Sequence, residues 1–212
     1  MPKTYSNIYN IALFVLFSLN AFSQKKMKAI KFFEQHIVGD FSNQKQIDEE
    51  IAAGKQIHPL AVHVNRNANK KILNAPKRDG FWLLEESYYT SPGKPQEAKP
   101  YLFFFEADGE NQVKLTVYRL PERLKKEEIL NSNKALKVDF SELSLSPTFK
   151  GAVYKIEGEI ISTVSVNDLG NGMKFTLSEK FTKNQLEVME LLEKDGKRLT
   201  PYTTPIIYDR IK

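Results

Sequence analysis

The chain contains no cysteine, one tryptophan and only three histidines. Without a thiol, the fold has no disulfide bond, and the protein has no thiolate nucleophile or cysteine metal ligand. His36, His58 and His63 are not spaced as metal ligands, and no loop carries the alternating acidic residues of a calcium site. A phosphate-binding glycine loop and a Gly-x-Ser-x-Gly turn are also missing. We therefore predict no metal and no cofactor.

Charge is close to balanced, with a formal net charge of +5. The main basic stretch is 65–78, which contains Arg66, Lys70, Lys71, Lys77 and Arg78. Nucleic-acid sites combine such charge with aromatic side chains on which bases stack, and this stretch has none. No nucleic-acid partner is predicted.

The first 23 residues are typical of a signal peptide. Lys3 is the only charged residue, an apolar block covers Ile8 to Leu19, and small residues precede Gln24. The alternative is an N-terminal anchor helix, but the block is shorter than the ~20 residues that span a bilayer. We predict cleavage near Ser23 and a single exported domain over 24–212, located in the periplasm, the cell envelope or the medium. Membrane contact is predicted only through the signal peptide.

The mature chain opens with helical spacing. Ile30, Phe33 and Ile37 recur on one helix face, and Gly39 is placed where a left-handed residue would end that helix. Asn43, with Gln46 three residues later, predicts the start of a second short helix, Gln44 to Ala53, that Gly54 stops. Capping and hydrogen bonds from helix to barrel explain Asn43 and Gln46 better than a catalytic role does.

From His58 onward the apolar residues alternate as in β-strands, and turn residues such as Asp108-Gly109 separate the runs. About eight short strands with few helices predict a mainly β fold closed into an antiparallel barrel. A loop is predicted from Thr90 to Lys99. The charged segment Glu122 to Lys134 predicts a surface helix or a lid, and Leu186 to Leu192 suits a helix as well as the strand that we favour.

The segment Gly39-Asp40-Phe41-Ser42-Asn43-Gln44-Lys45-Gln46 has an order that is specific rather than generic. Its residues Gly39, Phe41, Ser42, Asn43 and Gln46 resemble the opening motif of the CpcT/CpeT chromophore lyase family. Later segments are similar to that family in order, namely Trp82-Leu83-Leu84-Glu85-Glu86, Lys99-Pro100-Tyr101, Phe149-Lys150-Gly151 and Tyr208-Asp209-Arg210.

This resemblance implies a lipocalin-like (calycin) antiparallel β-barrel with a short N-terminal helical pair and a pocket in its mouth. It also implies a lyase activity that attaches an open-chain tetrapyrrole to cysteines of a partner protein. The chain departs from the family pattern after Pro100-Tyr101, where Leu102 and Phe104 replace two arginines. The family's cysteines are also missing, and a signal peptide separates this chain from cytoplasmic partners.

Arg119 is the most informative charged residue. It continues the apolar face of Val113, Leu115 and Val117, so on a regular strand its side chain points inward. A buried arginine needs an acidic partner, for which Glu85 and Glu86 are candidates. The alternative is a strand that ends at Val117, with Arg119 as a charge on the barrel rim.

Aromatic residues form the rest of the predicted ligand site, and they suit a plain hydrophobic core equally well. They are Trp82, Tyr88, Tyr101, Phe103 and Tyr118. Alternation alone does not decide whether the Trp82 and Glu86 face or the Phe81 and Glu85 face of this strand points inward.

From these residues we expect an exported barrel that binds a small amphipathic molecule without catalysis, and a tetrapyrrole-like compound is one candidate for that molecule. One alternative is a chromophore lyase that assists bilin attachment to a partner's cysteine. Another is an envelope structural or interaction protein whose barrel is filled by its own side chains. The sequence leaves a homo-oligomer open.

Overall fold

The structure is a computed structural model that describes residues 24–90 and 97–212. The predicted signal peptide and residues 91–96 of the predicted loop lie outside the described residues. In the described ranges, no helix is both long enough and apolar enough to cross a bilayer.

Two helices come first, α1 over residues 24–37 and α2 over Gln44–Ala52. The strands are β1 Gly39–Ser42, β2 Leu60–Asn67, β3 Ile72–Leu73, β4 Gly80–Thr90, β5 Ala98–Ala107, β6 Gln112–Arg119, β7 Val138–Asp139, β8 Ser144–Leu145, β9 Val153–Glu157, β10 Ile160–Gly170, β11 Met173–Phe181, β12 Gln185–Lys194, β13 Lys197–Arg198 and β14 Ile206–Arg210. Short 3-10 turns occur at Lys126–Ile129 and Phe140–Glu142.

Ten of these strands close into one antiparallel barrel, in the order β1-β2-β4-β5-β6-β9-β10-β11-β12-β14. The order around the barrel follows the chain, and pairing of β14 with β1 completes the ring. Closure leaves no long exposed strand edge. The predicted mainly β, lipocalin-like antiparallel barrel with an N-terminal helical pair is confirmed, with ten barrel strands rather than about eight. The segment Leu186 to Leu192 lies in strand β12, as favoured.

Alternation along each strand places one set of side chains inside the barrel. The inner core includes Phe81 and Leu83 of β4, Phe105 of β5, Phe181 of β11 and Tyr208 of β14, each at most 2% exposed. Because these side chains converge from several strands, they hold the ring together by apolar burial, worth about 25 cal/mol per Å² of apolar surface.

Helix α1 closes one end of the barrel. Its Phe33 is fully buried, with ring centroids 4.8 Å from Phe105, 5.0 Å from Tyr154 and 6.4 Å from Phe81. The helix face that carries Ile30, Phe33 and Ile37 therefore packs against the inner core, and we call α1 the helical plug of the barrel.

Gly39 does not end this helix as a cap, contrary to the prediction. The helix ends at residue 37, and Gly39 begins strand β1 with φ of +152°, a conformation that favours glycine. The carbonyls of His36 and Val38 at the helix end accept hydrogen bonds from the Arg210 guanidinium instead. A distant side chain thus satisfies the carbonyls that every helix leaves unpaired at its C-terminus.

The predicted second helix is confirmed, and Gly54 follows it with φ of +88°. The prediction of a capping pair is wrong, since the Asn43 side chain makes no cap hydrogen bond. Its amide instead bonds the Pro59 carbonyl and the Ala61 N–H, at 2.9 and 2.8 Å. Gln46 bonds the backbone of Pro205 and Ile207 near β14. The expected hydrogen bonds from helix to barrel are therefore present.

An outer layer covers one wall of the barrel. Residues 120–145 cross the outside of β4 and β5, where Ile129, Leu136 and Val138 pack in one cluster with Trp82 and Phe104. The predicted surface helix or lid over Glu122 to Lys134 is wrong, because this segment contains only a 3-10 turn and lies on the outer wall.

Candidate functional site

A cavity of about 530 Å³ lies inside the barrel. Ile37 of the helical plug borders it, as do Pro59 and Tyr202. Its apolar walls come from inward positions of neighbouring strands, namely Phe103, Phe105, Leu115, Val117, Phe175, Leu177, Leu186 and Val188. A cavity of this size with apolar walls is typical of small-molecule sites.

Polar groups gather on one part of the wall, beginning with His63 of β2. Its Nδ1 lies 3.2 Å from Glu85 Oε1 and 3.1 Å from Ser87 Oγ, both on β4. The register of the two strands places His63 opposite Ser87, so this contact follows directly from strand pairing. The Ser87 hydroxyl donates to Glu85 at 2.7 Å.

Two further carboxylates face the same cavity from β11 and β12. Glu179 accepts a hydrogen bond from the Tyr154 hydroxyl, and Glu190 accepts one from the Tyr89 hydroxyl at 3.1 Å. In the described part of the chain, neither carboxylate has an ion-pair partner within 4.0 Å. The interior is therefore rich in hydrogen-bond acceptors.

Burial and mutual repulsion set the protonation of these groups. Burial, followed by the charges of Glu85 and Glu190, raises the pKa of Glu179 to about 7. Burial also raises the pKa of Glu190. Burial opposes charge on His63 and Glu85 too, but their attraction and hydrogen bond raise the pKa of His63 and lower that of Glu85. The contact between His63 and Glu85 therefore favours the charged form of both side chains.

Two residues that line this cavity each have a buried polar atom without a hydrogen-bond partner among the described residues, namely His63 Nε2 and Asn65 Oδ1. The Asn65 amide nitrogen donates to the Ile37 carbonyl at 3.0 Å, which fixes the amide against the helical plug. A buried polar atom without a partner costs about 1–3 kcal/mol, so a bound molecule that satisfied it would be stabilised.

Of the predicted ligand residues, Glu85, Tyr101 and Phe103 line the cavity. The prediction for the other aromatic residues is corrected. Trp82, Tyr88 and Tyr118 point away from the interior; Trp82 packs on Tyr118 in the outer layer, with ring centroids 4.8 Å apart.

Glu86 also lies on the outer face. It is 4% exposed and accepts hydrogen bonds from the Asn131 N–H and the Tyr88 hydroxyl. Arg119 pairs with neither Glu85 nor Glu86. Its side chain is 52% exposed and lies 3.3 Å from Glu122, as the alternative prediction of an exposed charge expected. The strand does not end at Val117, as that alternative also supposed, because β6 includes Arg119.

The residues of the opening motif have contacts that hold the fold together. Gly39 and Phe41 lie in β1, where Phe41 pairs with Arg210 of β14. The Arg210 guanidinium lies over the Phe41 ring, 4.5 Å from its centre. The Ser42 hydroxyl accepts from the Gln44 N–H at the start of α2, and Asn43 and Gln46 bond the barrel backbone as described. None of these five residues lines the cavity.

Sequence reasoning missed His63, Glu179 and Glu190 as site residues. The sequence did contain a signal for the two glutamates, because each one lies in the apolar, inward phase of its strand. Glu179 interrupts the set Phe175, Leu177 and Phe181. Glu190 continues the set Leu186 and Val188. A charged residue in the inward phase of a barrel strand marks a polar position inside the barrel.

Ser87, His63 and Glu85 contact one another, and both Ser87 and Glu85 lie against Nδ1 of His63. Ser87 donates its proton to Glu85, and Ser87 and Glu85 share one nitrogen of His63, so a nucleophile–base–acid relay is not formed. In the ranges 24–90 and 97–212, no group of three metal-ligating side chains is arranged around a common point.

No protein-family model matches the chain, and a search of curated proteins gives no match either.

Proposed function

We propose that this protein binds a small amphipathic molecule inside its barrel and does not transform it. The observation that carries the proposal is the cavity of about 530 Å³, which joins an apolar wall to a cluster of polar groups. The apolar part of a ligand would lie against Phe103, Leu115 and Val117, and its polar end would lie against the cluster of His63 and Glu85. Small-molecule sites typically combine mainly apolar walls with a few polar groups in this way.

Two features support an exported, CpcT/CpeT-like barrel as the setting. The motif residues Gly39 and Phe41 contact Arg210, which belongs to the last segment of the resemblance, so both ends of the similar region contribute to one junction. The N-terminal block predicts export. Membership of that family and the cellular location are parts of the proposal.

A chromophore-lyase role is the second candidate, and Lys99 and Lys150 favour it. Both are exposed residues that border the cavity, and two lysines can pair with the two propionates of a tetrapyrrole. The carboxylates of Glu85, Glu179 and Glu190 line the same cavity and disfavour an anionic ligand, so non-catalytic carriage is the better-supported function. The size of the cavity argues against a barrel filled by its own side chains.

The test is a titration of the purified protein with N-phenyl-1-naphthylamine, a neutral amphiphile that fluoresces more strongly in apolar surroundings. We expect saturable binding at one site in the micromolar range, ~8 kcal/mol. Biliverdin serves as a competitor, and its displacement of the probe would favour the second candidate.

Two substitutions on β10 provide a matched pair. Ser165 borders the cavity, whereas Val164 points outward and is 68% exposed. Ser165→Trp should fill the cavity and weaken probe binding by about tenfold or more, and Val164→Trp should leave it unchanged. Equal binding by both variants, or no saturable binding by the parent protein, would contradict the proposal.

A further inference from the structure

The polar part of the cavity contains several carboxylates, which narrow the class of molecule that the cavity can bind. Glu179 and Glu190 are diagonal neighbours on the inner face, because the strand register places Glu179 opposite Val188 and Glu190 opposite Leu177. Glu85 faces them from β4. Three carboxylates thus line the same cavity.

Among the described residues that line this cavity, the buried basic side chain is His63, and it already has an acidic partner. His63 contacts Glu85 at 3.2 Å, which leaves Glu179 and Glu190 with tyrosine hydroxyls as their hydrogen-bond donors. Lys99 is exposed, with its Nζ 5.8 Å from the centre of the Tyr89 ring. A positive charge placed between Glu179 and Glu190 would be attracted by both carboxylates, neither of which has an ion-pair partner within 4.0 Å among the described residues.

A second, independent feature points to a ligand rich in donors or positive charge. The side-chain oxygen of Asn65 is a buried acceptor without a partner, on a residue that is 2% exposed and borders the same cavity. Tyrosine rings complete the surroundings, since Tyr89 and Tyr101 line the cavity beside the carboxylates. Aromatic faces attract cations, including quaternary ammonium groups.

We propose that the cavity selects amphipathic molecules with a cationic head, held between Glu179 and Glu190 while the apolar tail lies against Phe103 and Val117. This inference rests on the proposed function, because it names the ligand class of the same cavity. Carboxylate pairing provides the selectivity, and the apolar wall provides affinity that is common to every amphiphile.

The experiment compares three competitors of equal chain length against bound N-phenyl-1-naphthylamine. They are decyltrimethylammonium, decanol and decanoate, each below its micelle concentration. The ammonium compound keeps its charge at every pH, so its protonation does not enter the comparison. We expect it to displace the probe at concentrations about tenfold lower than decanol, and decanoate to be the weakest competitor.

Variants then locate the selectivity. Glu179→Gln and Glu190→Gln keep side-chain size and remove charge, and together they should reduce the preference for ammonium over decanol by about tenfold. Glu187→Gln is the matched control, since Glu187 lies on the same strand but pairs with Lys180 at 3.2 Å on the outer surface. It should keep the parent's preference.

The outcomes separate the two proposals. If the probe does not bind the parent protein, the proposed function fails. If the probe binds but the parent shows no preference for decyltrimethylammonium, or the preference persists in the double variant, the cation inference is overturned and the binding function stands. The comparison on the parent protein decides the inference even if the double variant fails to fold.

Discussion

The guanidinium of Arg210 occupies the space that a side chain at Gly39 would need. A Cβ built on Gly39 would lie 2.1 Å from Arg210 Nη1, well inside van der Waals contact. From this position Arg210 reaches the carbonyls of His36, Val38 and Lys183 and covers the Phe41 ring. One glycine and one arginine thereby join the end of the helical plug to the strand pair that closes the barrel.

Gly39→Ala should destabilise the protein by about 3 kcal/mol, because the new methyl group both strains φ of +152° and displaces Arg210. Urea denaturation measures this loss. Gly54→Ala is the control, since Gly54 also has positive φ but has no atom within 4 Å of its Cβ position. It should cost only ~1 kcal/mol. Equal losses of unfolding free energy in Gly39→Ala and Gly54→Ala would show that the contact with Arg210 does not contribute to stability.

Arg210→Lys should cost about 2 kcal/mol, since a lysine cannot bond three carbonyls from one planar group. Hydrogen exchange should become faster in the last turn of α1, before any change in β10 or β11. Arg119→Lys should change stability by less than ~0.5 kcal/mol, because Arg119 forms only an exposed ion pair. Unchanged exchange in α1 would contradict the anchoring role of Arg210.

Asn131 fixes the outer layer to the barrel. Its side chain donates to the carbonyls of Val64 and Leu84, each at 3.1 Å. Asn131→Ala should cost about 2 kcal/mol by leaving buried carbonyls without that donor, and should shift Trp82 emission to longer wavelength as the layer loosens. Asn133→Ala is the control, because the Asn133 side chain is partly exposed and bonds Glu128 and Ala135 of its own segment instead of the barrel, so the emission should stay unchanged. Unchanged Trp82 emission in Asn131→Ala would show that the layer is held by other contacts.

Glu179 should make stability depend on pH. Its pKa of about 7 in the folded protein lies above the ordinary value of 4.5, so folding favours the protonated form. The contribution of this group is fully present below about pH 4.5 and is lost as pH rises through 7. Because part of the side chain is accessible within the cavity, the loss should be about 1–3 kcal/mol between pH 5 and 8.

Glu179→Gln cannot ionise and should lose less stability over that interval. The measurement is urea denaturation of both proteins at pH 5 and pH 8. Parallel pH dependence in the two proteins would contradict the assignment of a raised pKa to Glu179. Glu187→Gln, on the outer surface, should follow the parent protein.

Much of the fold was predictable because local patterns and global packing agree. Period-two alternation and turns such as Asp108-Gly109 define the hairpins, and the spacing of Ile30, Phe33 and Ile37 defines α1. The number of barrel strands was underestimated because β1 is only four residues long and its identity depends on pairing with β14. Pairing between chain ends has no local signal.

The orientation of β4 was not predictable from alternation. Both faces of this strand are buried, with Phe81 and Leu83 inside the barrel and Trp82 and Leu84 under the outer layer. The pattern that normally separates core from solvent is therefore absent. The prediction therefore placed Trp82 and Glu86 in the ligand site, but both point to the outer layer, whereas Glu85 faces the cavity.

The central claim, a ligand inside the barrel, is tested most directly by methyl NMR of the protein titrated with N-phenyl-1-naphthylamine. The account predicts saturable shifts at the cavity methyls of Leu115, Val117, Leu177 and Val188, with no shift at the outward Val164 and Val166. Shifts confined to outward or outer-layer methyls, or no saturable shift at all, would contradict it.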